Sequence, residues 1–259
     1  MPNPQAIVQV LSVAEPVAAG LLLLRLWSEG LVQRYRYFAF YLVWMLCEGV
    51  AMWTANRNRP SYFIVYLVID SVIWIAQTLI VLELFSLVLK NYPGVARSGR
   101  RFIVIACCGA LVGAFSLAVL STDTATYQSQ AIAQYLLISR VIAFALLVFL
   151  LLILGFLFYF PIPLSRNVVV YAIGYCVYFT SRALTRLAGS LMGPELLETL
   201  SIVAMGVVVV CLLVFTLLLN RHGERVDVTV GHRWSPEQAH IAVSQLNTLN
   251  ASLLKASRK

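Results

Sequence analysis

Seven apolar stretches, each about as long as a lipid-spanning helix, divide the chain: about Ile7 to Leu26, Tyr37 to Ala55, Tyr62 to Leu89, Phe102 to Ser121, Gln134 to Phe160, Val168 to Leu191 and Thr199 to Asn220. A helix needs about 20 residues to cross about 30 Å of hydrocarbon, and it satisfies its own backbone there. The expected fold class is therefore all-α: a polytopic transmembrane bundle of seven helices. The third and fifth stretches are longer and should tilt or protrude. Breaker residues fall between stretches, at Asn56 to Pro60, Asn91 to Gly94, Pro161 to Pro163 and Met192 to Pro194. Pro16, inside the first stretch, should bend that helix because it removes a backbone donor.

Composition supports this reading. Of 259 residues, 61% are hydrophobic and 12% charged, and the mean hydropathy is +0.86. More apolar surface is present than one water-soluble core could bury. A disordered chain, a disulfide scaffold and a collagen-like repeat are excluded by the same figures. The expected primary partner is the lipid bilayer.

The net charge of +8 reads as topology once it is placed on the stretches. Fourteen of the nineteen basic residues fall on one side: Arg25, Arg34, Arg36, Lys90, Arg97, Arg100, Arg101, Arg166 and six after Asn220. Arg57 and Arg59 lie opposite, with Asp123, Glu195 and Glu198. The positive-inside rule then puts the amino terminus outside and the carboxyl terminus in the cytoplasm. A nucleic-acid partner, which needs a soluble basic face, is not expected. The first residues lack the charged region of a cleavable signal, so the first stretch reads as a spanning helix.

Several chemistries are missing their side chains. His222, His232 and His240 all follow the last stretch, which argues against bis-histidine haem and histidine-box iron. Lysine occurs only at Lys90, Lys255 and Lys259, so no buried amine is available for a retinal Schiff base. Cys47, Cys107, Cys108, Cys176 and Cys211 all lie in apolar stretches and read as small hydrophobes. No hydrolase elbow, phosphate loop or zinc pattern is present. Cofactors, metals and catalytic residues are accordingly expected to be none.

Seven ionisable residues nevertheless lie inside the spans: Glu15, Glu48, Asp70, Glu83, Arg140, Arg182 and Arg186. Each costs roughly 2.5 to 3.5 kcal/mol at a helix centre and should face the bundle interior with a partner. Counted from the outer helix ends, all but Glu83 sit roughly 7 to 15 Å deep at 1.5 Å per residue. Glu83 lies nearer the cytoplasmic end, where it should hydrogen-bond a neighbouring helix or approach the basic loop.

Helical spacing groups these charges with aromatics. Tyr171, Tyr175, Tyr178, Arg182 and Arg186 recur at intervals of four, three, four and four, so they share one helix face. Tyr37, Tyr41, Trp44 and Glu48 do likewise, as do Tyr66, Asp70 and Gln77. Convergence of the three stripes would line an amphipathic cavity. Plain aromatic packing is the commoner reason for tyrosines placed as Tyr171 and Tyr175 are, and an interhelical salt-bridge network accounts for the charges as well as a ligand, ion or proton pathway does. The candidate ligand-binding or buried-charge set is Glu15, Glu48, Asp70, Arg140, Arg182, Arg186, Tyr66, Gln77 and Tyr178.

Residues 222–259 read as a cytoplasmic tail behind a membrane domain of residues 1–221. Val226, Val228 and Val230 alternate with polar residues as in a short strand. Ser235-Pro236-Glu237-Gln238 reads as an N-cap, a first-turn proline and a capping-box glutamine, so a helix is expected over about 236–257. Its seam, Ala239, Ala242, Leu246, Leu249, Leu253 and Ala256, is too short for a stable coiled coil and calls for a partner surface or the membrane. Ala239, Ala242, Leu246, Leu249 and Leu253 are the candidate docking residues.

Glu83-Leu84-Phe85, followed by Tyr92-Pro93-Gly94-Val95-Ala96-Arg97-Ser98-Gly99-Arg100, resembles a group of uncharacterised bacterial integral membrane proteins of similar length and helix count. The resemblance implies a bacterial cytoplasmic (inner) membrane and carries no activity, cofactor or ligand.

Two functions follow as expectations. The first is a non-catalytic membrane protein, receptor or carrier, whose outward-facing cavity around Glu48, Asp70, Arg182 and Arg186 binds a small polar molecule or ion. The alternative is an accessory subunit of a larger membrane complex or homo-oligomer, with the charges structural and the tail helix docking a membrane-protein partner. A lipid-modifying enzyme is the most distant reading, since no acid, base and nucleophile can be assembled at one interface.

Overall fold

The computed structural model of the chain describes residues 4–54, 61–99, 101, 104–105, 109, 127–188, 194–229 and 235–256. These residues are mostly helical. In chain order they form α1 (Pro4–Ser28), α2 (Arg36–Thr54), α3 (Ser61–Val88), α4 (Tyr127–Tyr159), β1 (Pro163–Ser165), α5 (Arg166–Ala188), α6 (Pro194–Leu218), a 3-10 turn (His222–Glu224), β2 (Asp227–Thr229) and α7 (Pro236–Ala256). The two short strands pair with each other. Among the described residues, five helical segments are long and apolar enough to cross a membrane: Ala6–Ser28, Val68–Val88, Ile138–Tyr159, Arg166–Thr185 and Thr199–Leu218. The expected fourth span, Phe102 to Ser121, lies almost wholly outside the described residues, as do Arg57 and Arg59.

The chain divides into two compact units, residues 1–84 with 165–228, and residues 85–164 with 229–259. The first seven residues past Arg221 belong to the unit that holds α1, α2, α5 and α6.

In the first unit, α6 packs chiefly on α1 and α5, and α1 also packs on α2. The core is aromatic. Tyr35, Phe38, Tyr171, Tyr175, Tyr178, Phe179 and Phe215 are all fully buried. Phe215 of α6 meets Phe38 edge-on at 5.5 Å between ring centres and Tyr171 at 6.2 Å. Gly174 permits this closeness, because a Cβ there would lie 2.5 Å from the Phe215 ring. The ring is held on both sides and has little room to yield.

In the second unit, α7 begins as its sequence predicts. The Gln238 amide donates to Ser235 Oγ at 3.3 Å, and the Ser235 amide donates to Gln238 Oε1 at 3.4 Å, which is a reciprocal capping box. Ala242 and Leu246 are buried and Leu253 is half-buried, as the expected seam requires. Leu249 departs from it: the side chain is 50% exposed, and Asn250 takes the inward place. A straight helix at 3.6 residues per turn drifts off a 3.5-residue seam, so the inward row runs Ala242, Leu246, Asn250. Ala239 lies in the first turn, its side chain outside the described residues.

The surface that receives α7 is part of the same chain. Asn250 Oδ1 accepts the Gly94 amide at 2.7 Å and the Val95 amide at 3.4 Å, capping the helix that begins at residue 93. A Cβ on Gly94 would stand 2.4 Å from the Asn250 carbonyl oxygen. Replacing Gly94 with Val should therefore push α7 off this helix. Hydrogen exchange over residues 236–256 is expected to accelerate at least tenfold, with the amides of α5 and α6 unchanged.

Candidate functional site

The residues of the expected site are best followed along α5, whose inward face runs the depth of the first unit. Near its amino-terminal end lies a polar cluster built around Glu224, in the 3-10 turn that follows α6. The Glu224 carboxylate accepts Tyr35 Oη at 2.5 Å, Arg34 Nε at 2.8 Å, Asn167 Nδ2 at 3.0 Å and Ser165 Oγ at 3.3 Å. Asn167 Nδ2 also reaches the Asn220 carbonyl at 2.7 Å, and Asn220 Oδ1 accepts the Gly223 amide at 2.6 Å. Burial and the Glu224 carboxylate push the Tyr35 phenol well above its ordinary pKa, so it remains a donor at any physiological pH.

One helical level deeper, Glu83 of α3 accepts the amides of Tyr37 at 3.1 Å and Phe38 at 3.3 Å. These are orphan donors in the first turn of α2, where a helix dipole favours a negative group. Of the two environments expected for Glu83, the neighbouring helix is the one observed. The Tyr171 hydroxyl lies within electrostatic reach of Glu83 but completes no hydrogen bond.

Above this level the tyrosine ladder continues. Ring centres of Tyr171 and Tyr175 are 6.1 Å apart, and those of Tyr175 and Tyr178 are 5.7 Å apart and nearly parallel. The Tyr175 hydroxyl is buried with no hydrogen-bond partner. Tyr178 then hydrogen-bonds Tyr41 of α2 through their hydroxyls. One turn further along α5, Arg182 forms an ion pair with Glu15 of α1. Glu48 of α2 is close enough to act on the Arg182 guanidinium electrostatically. The pair is not deeply enclosed, since 37% of the Arg182 side chain and 13% of the Glu15 side chain are exposed. The Arg182 Nε is buried and unbonded.

The structure thus brings Glu15, Arg182, Tyr178 and Glu48 together and adds Tyr41, which the second-helix stripe contains. Asp70 and Gln77 are buried on α3, Asp70 beside the level where Trp44 Nε1 donates to the Ile69 carbonyl at 3.2 Å and Gln77 two turns further along. Arg140 is half-buried and belongs to the second unit. Tyr66 and Arg186 occupy helical positions, with their side chains outside the described residues. Sequence reasoning missed Glu224, Tyr35, Asn167 and Ser165. The available signal was the run Asn220-Arg221-His222-Gly223-Glu224, in which a breaker and a glycine close to a span mark a tight turn.

No protein family, curated protein or solved structure matches the chain. The long apolar helices, with their interhelical ion pair and polar ladder, are those of an integral membrane protein.

Coupling between Glu15 and Arg182 can be measured by a double-mutant cycle. Glu15→Leu and Arg182→Met should each lower the unfolding free energy in detergent, because each strands the other charge. The double variant should lose less than the sum of the two by about 0.5 to 3 kcal/mol.

Proposed function

We propose that the protein is a non-catalytic receptor- or carrier-like protein that holds a small polar molecule or ion on the outward half of the α5 face. The observation that carries this reading is the convergence of α1, α2 and α5 on Arg182. There a guanidinium retains a free, buried Nε beside a carboxylate, two phenols and a second carboxylate within electrostatic reach. A carboxylate or other small anion would find a forked donor, and the neighbouring acid would accept an ammonium group. The aromatic walls would cover the apolar part of such a ligand. In this reading the chain crosses a bacterial inner membrane seven times, amino terminus outside, so that Arg182 and Glu15 face outward.

The test uses the purified protein in detergent with free amino acids, betaines and small carboxylates as probes. At least one probe should raise the unfolding temperature of the wild type and leave Arg182→Met unmoved, with the variant folded. A stable Arg182→Met that responds as the wild type does, or a wild type that responds to none, would sink the proposal.

A second reading has its own support. Arg182, Glu83 and Glu224 each have a partner within the chain, as a purely structural network requires, and α7 leaves Ile241 and Leu249 exposed along one edge. An accessory subunit would use that edge to hold its complex. Deleting residues 235–259 should then release co-purifying membrane proteins, whereas a monomer on mild extraction of the intact chain would count against it.

A further inference from the structure

The turn after α6 sorts its charges by direction. Glu224 points into the first unit and is held by four donors. Arg221, His222 and Arg225 are exposed and bound an open hollow of about 310 Å³. Gly223 fixes the arrangement, since a Cβ there would fall 2.2 Å from Asn167 Oδ1. The turn is thereby pressed against α5 and cannot be inverted.

The basic side chains around the hollow are not neutralised by nearby acids. Glu29 is engaged by Arg25 at 3.3 Å and by the Arg221 main-chain amide at 2.8 Å. Glu224 is occupied by Arg34 and its other donors. Asp227, the remaining acid nearby, is exposed two residues past Arg225. Among the described residues, the side chains of Arg221, His222 and Arg225 make no ion pair or hydrogen bond. Two arginines and a histidine, all exposed, therefore border one open space.

Position then selects the anion. The apolar span of α6 ends at Leu218, and Arg221 follows three residues later, roughly 5 Å further along at 1.5 Å per residue. That is the depth of lipid phosphates, where basic residues meet the negative field of anionic headgroups. We infer that the Arg221–His222–Arg225 hollow binds the phosphate of an anionic phospholipid headgroup. The two guanidiniums supply forked donors to its oxygens, and the buried Glu224 cluster keeps the turn that presents them rigid.

The experiment takes the full chain in detergent and titrates phosphatidylglycerol or phosphatidylcholine, with bound lipid counted by native mass spectrometry. The wild type should prefer phosphatidylglycerol at least tenfold. Arg221→Gln and Arg225→Gln should each weaken its binding about fivefold, and together they should abolish the preference. Both side chains are exposed, and an unchanged unfolding temperature will show that the variants fold. Equal binding of the two lipids by the wild type, or a preference retained by the double variant, would overturn the proposal. So would inorganic phosphate in lipid-free detergent binding as tightly as phosphatidylglycerol, since the site would then serve a soluble anion.

Discussion

A charged side chain inside hydrocarbon must find its partner on another helix, and this constraint registers the first unit from end to end. Arg182 on α5 and Glu15 on α1 lie 167 residues apart in sequence and meet at one depth. Glu83 on α3 fits the first turn of α2 only if the two helices run in opposite directions with that turn beside it. Between α2 and α5, which run the same way, Phe38 meets Tyr171, Tyr41 bonds Tyr178 and Glu48 lies near Arg182. Shifting one helix by a single residue would move its side chains by about 1.5 Å along the axis and by about 100° around it, and would break several of these pairs at once. Apolar surface gives no comparable discrimination, because lipid solvates leucine as well as a neighbouring helix does.

The polar groups are distributed unevenly along α5, and that distribution separates scaffold from site. At the Arg34 and Asn167 end four donors converge on Glu224, with Asn167 Oδ1 the buried atom left over, and the turn is tight enough to require glycine at Gly223. Toward the other end satisfaction decreases. Tyr171 and Tyr175 keep hydroxyls without a hydrogen bond, and Arg182 keeps an unbonded Nε beside a partly exposed ion pair. A fully bonded network resists change, whereas a partly bonded one can accept a ligand's atoms without first breaking its own bonds.

What could be read from the sequence followed from periodicity. The interval pattern from Tyr171 to Arg182 placed those residues on one buried face, and the capping box at Ser235 and Gln238 formed as its spacing requires. Glu83 could be recognised as buried, but not its acceptor role toward Tyr37 and Phe38, since that depends on which helix lies opposite. Glu224 was hidden more completely. Next to Arg221, His222 and Arg225 it looks like one charge in a solvated basic tail, and nothing in its neighbourhood encodes Tyr35, 189 residues earlier. The Leu249 position misled for a different reason: a heptad assumes a supercoiled partner, whereas α7 rests on the start of another helix of its own chain and keeps the straight-helix period.

The internal occupant of the α7 groove changes what the tail can do. Asn250 caps the helix that begins at residue 93 through Gly94 and Val95, so the polar part of the tail's inward face is committed. Any partner must either use the outward edge at Ile241 and Leu249 or displace α7 from Asn250's contacts. Displacement would uncover two amides at a helix start together with Leu246, and both cost free energy in water. The outward edge carries no such cost. A partner that reads the tail therefore does so most cheaply with α7 in place, as an addition to the folded chain and without competing for its interior.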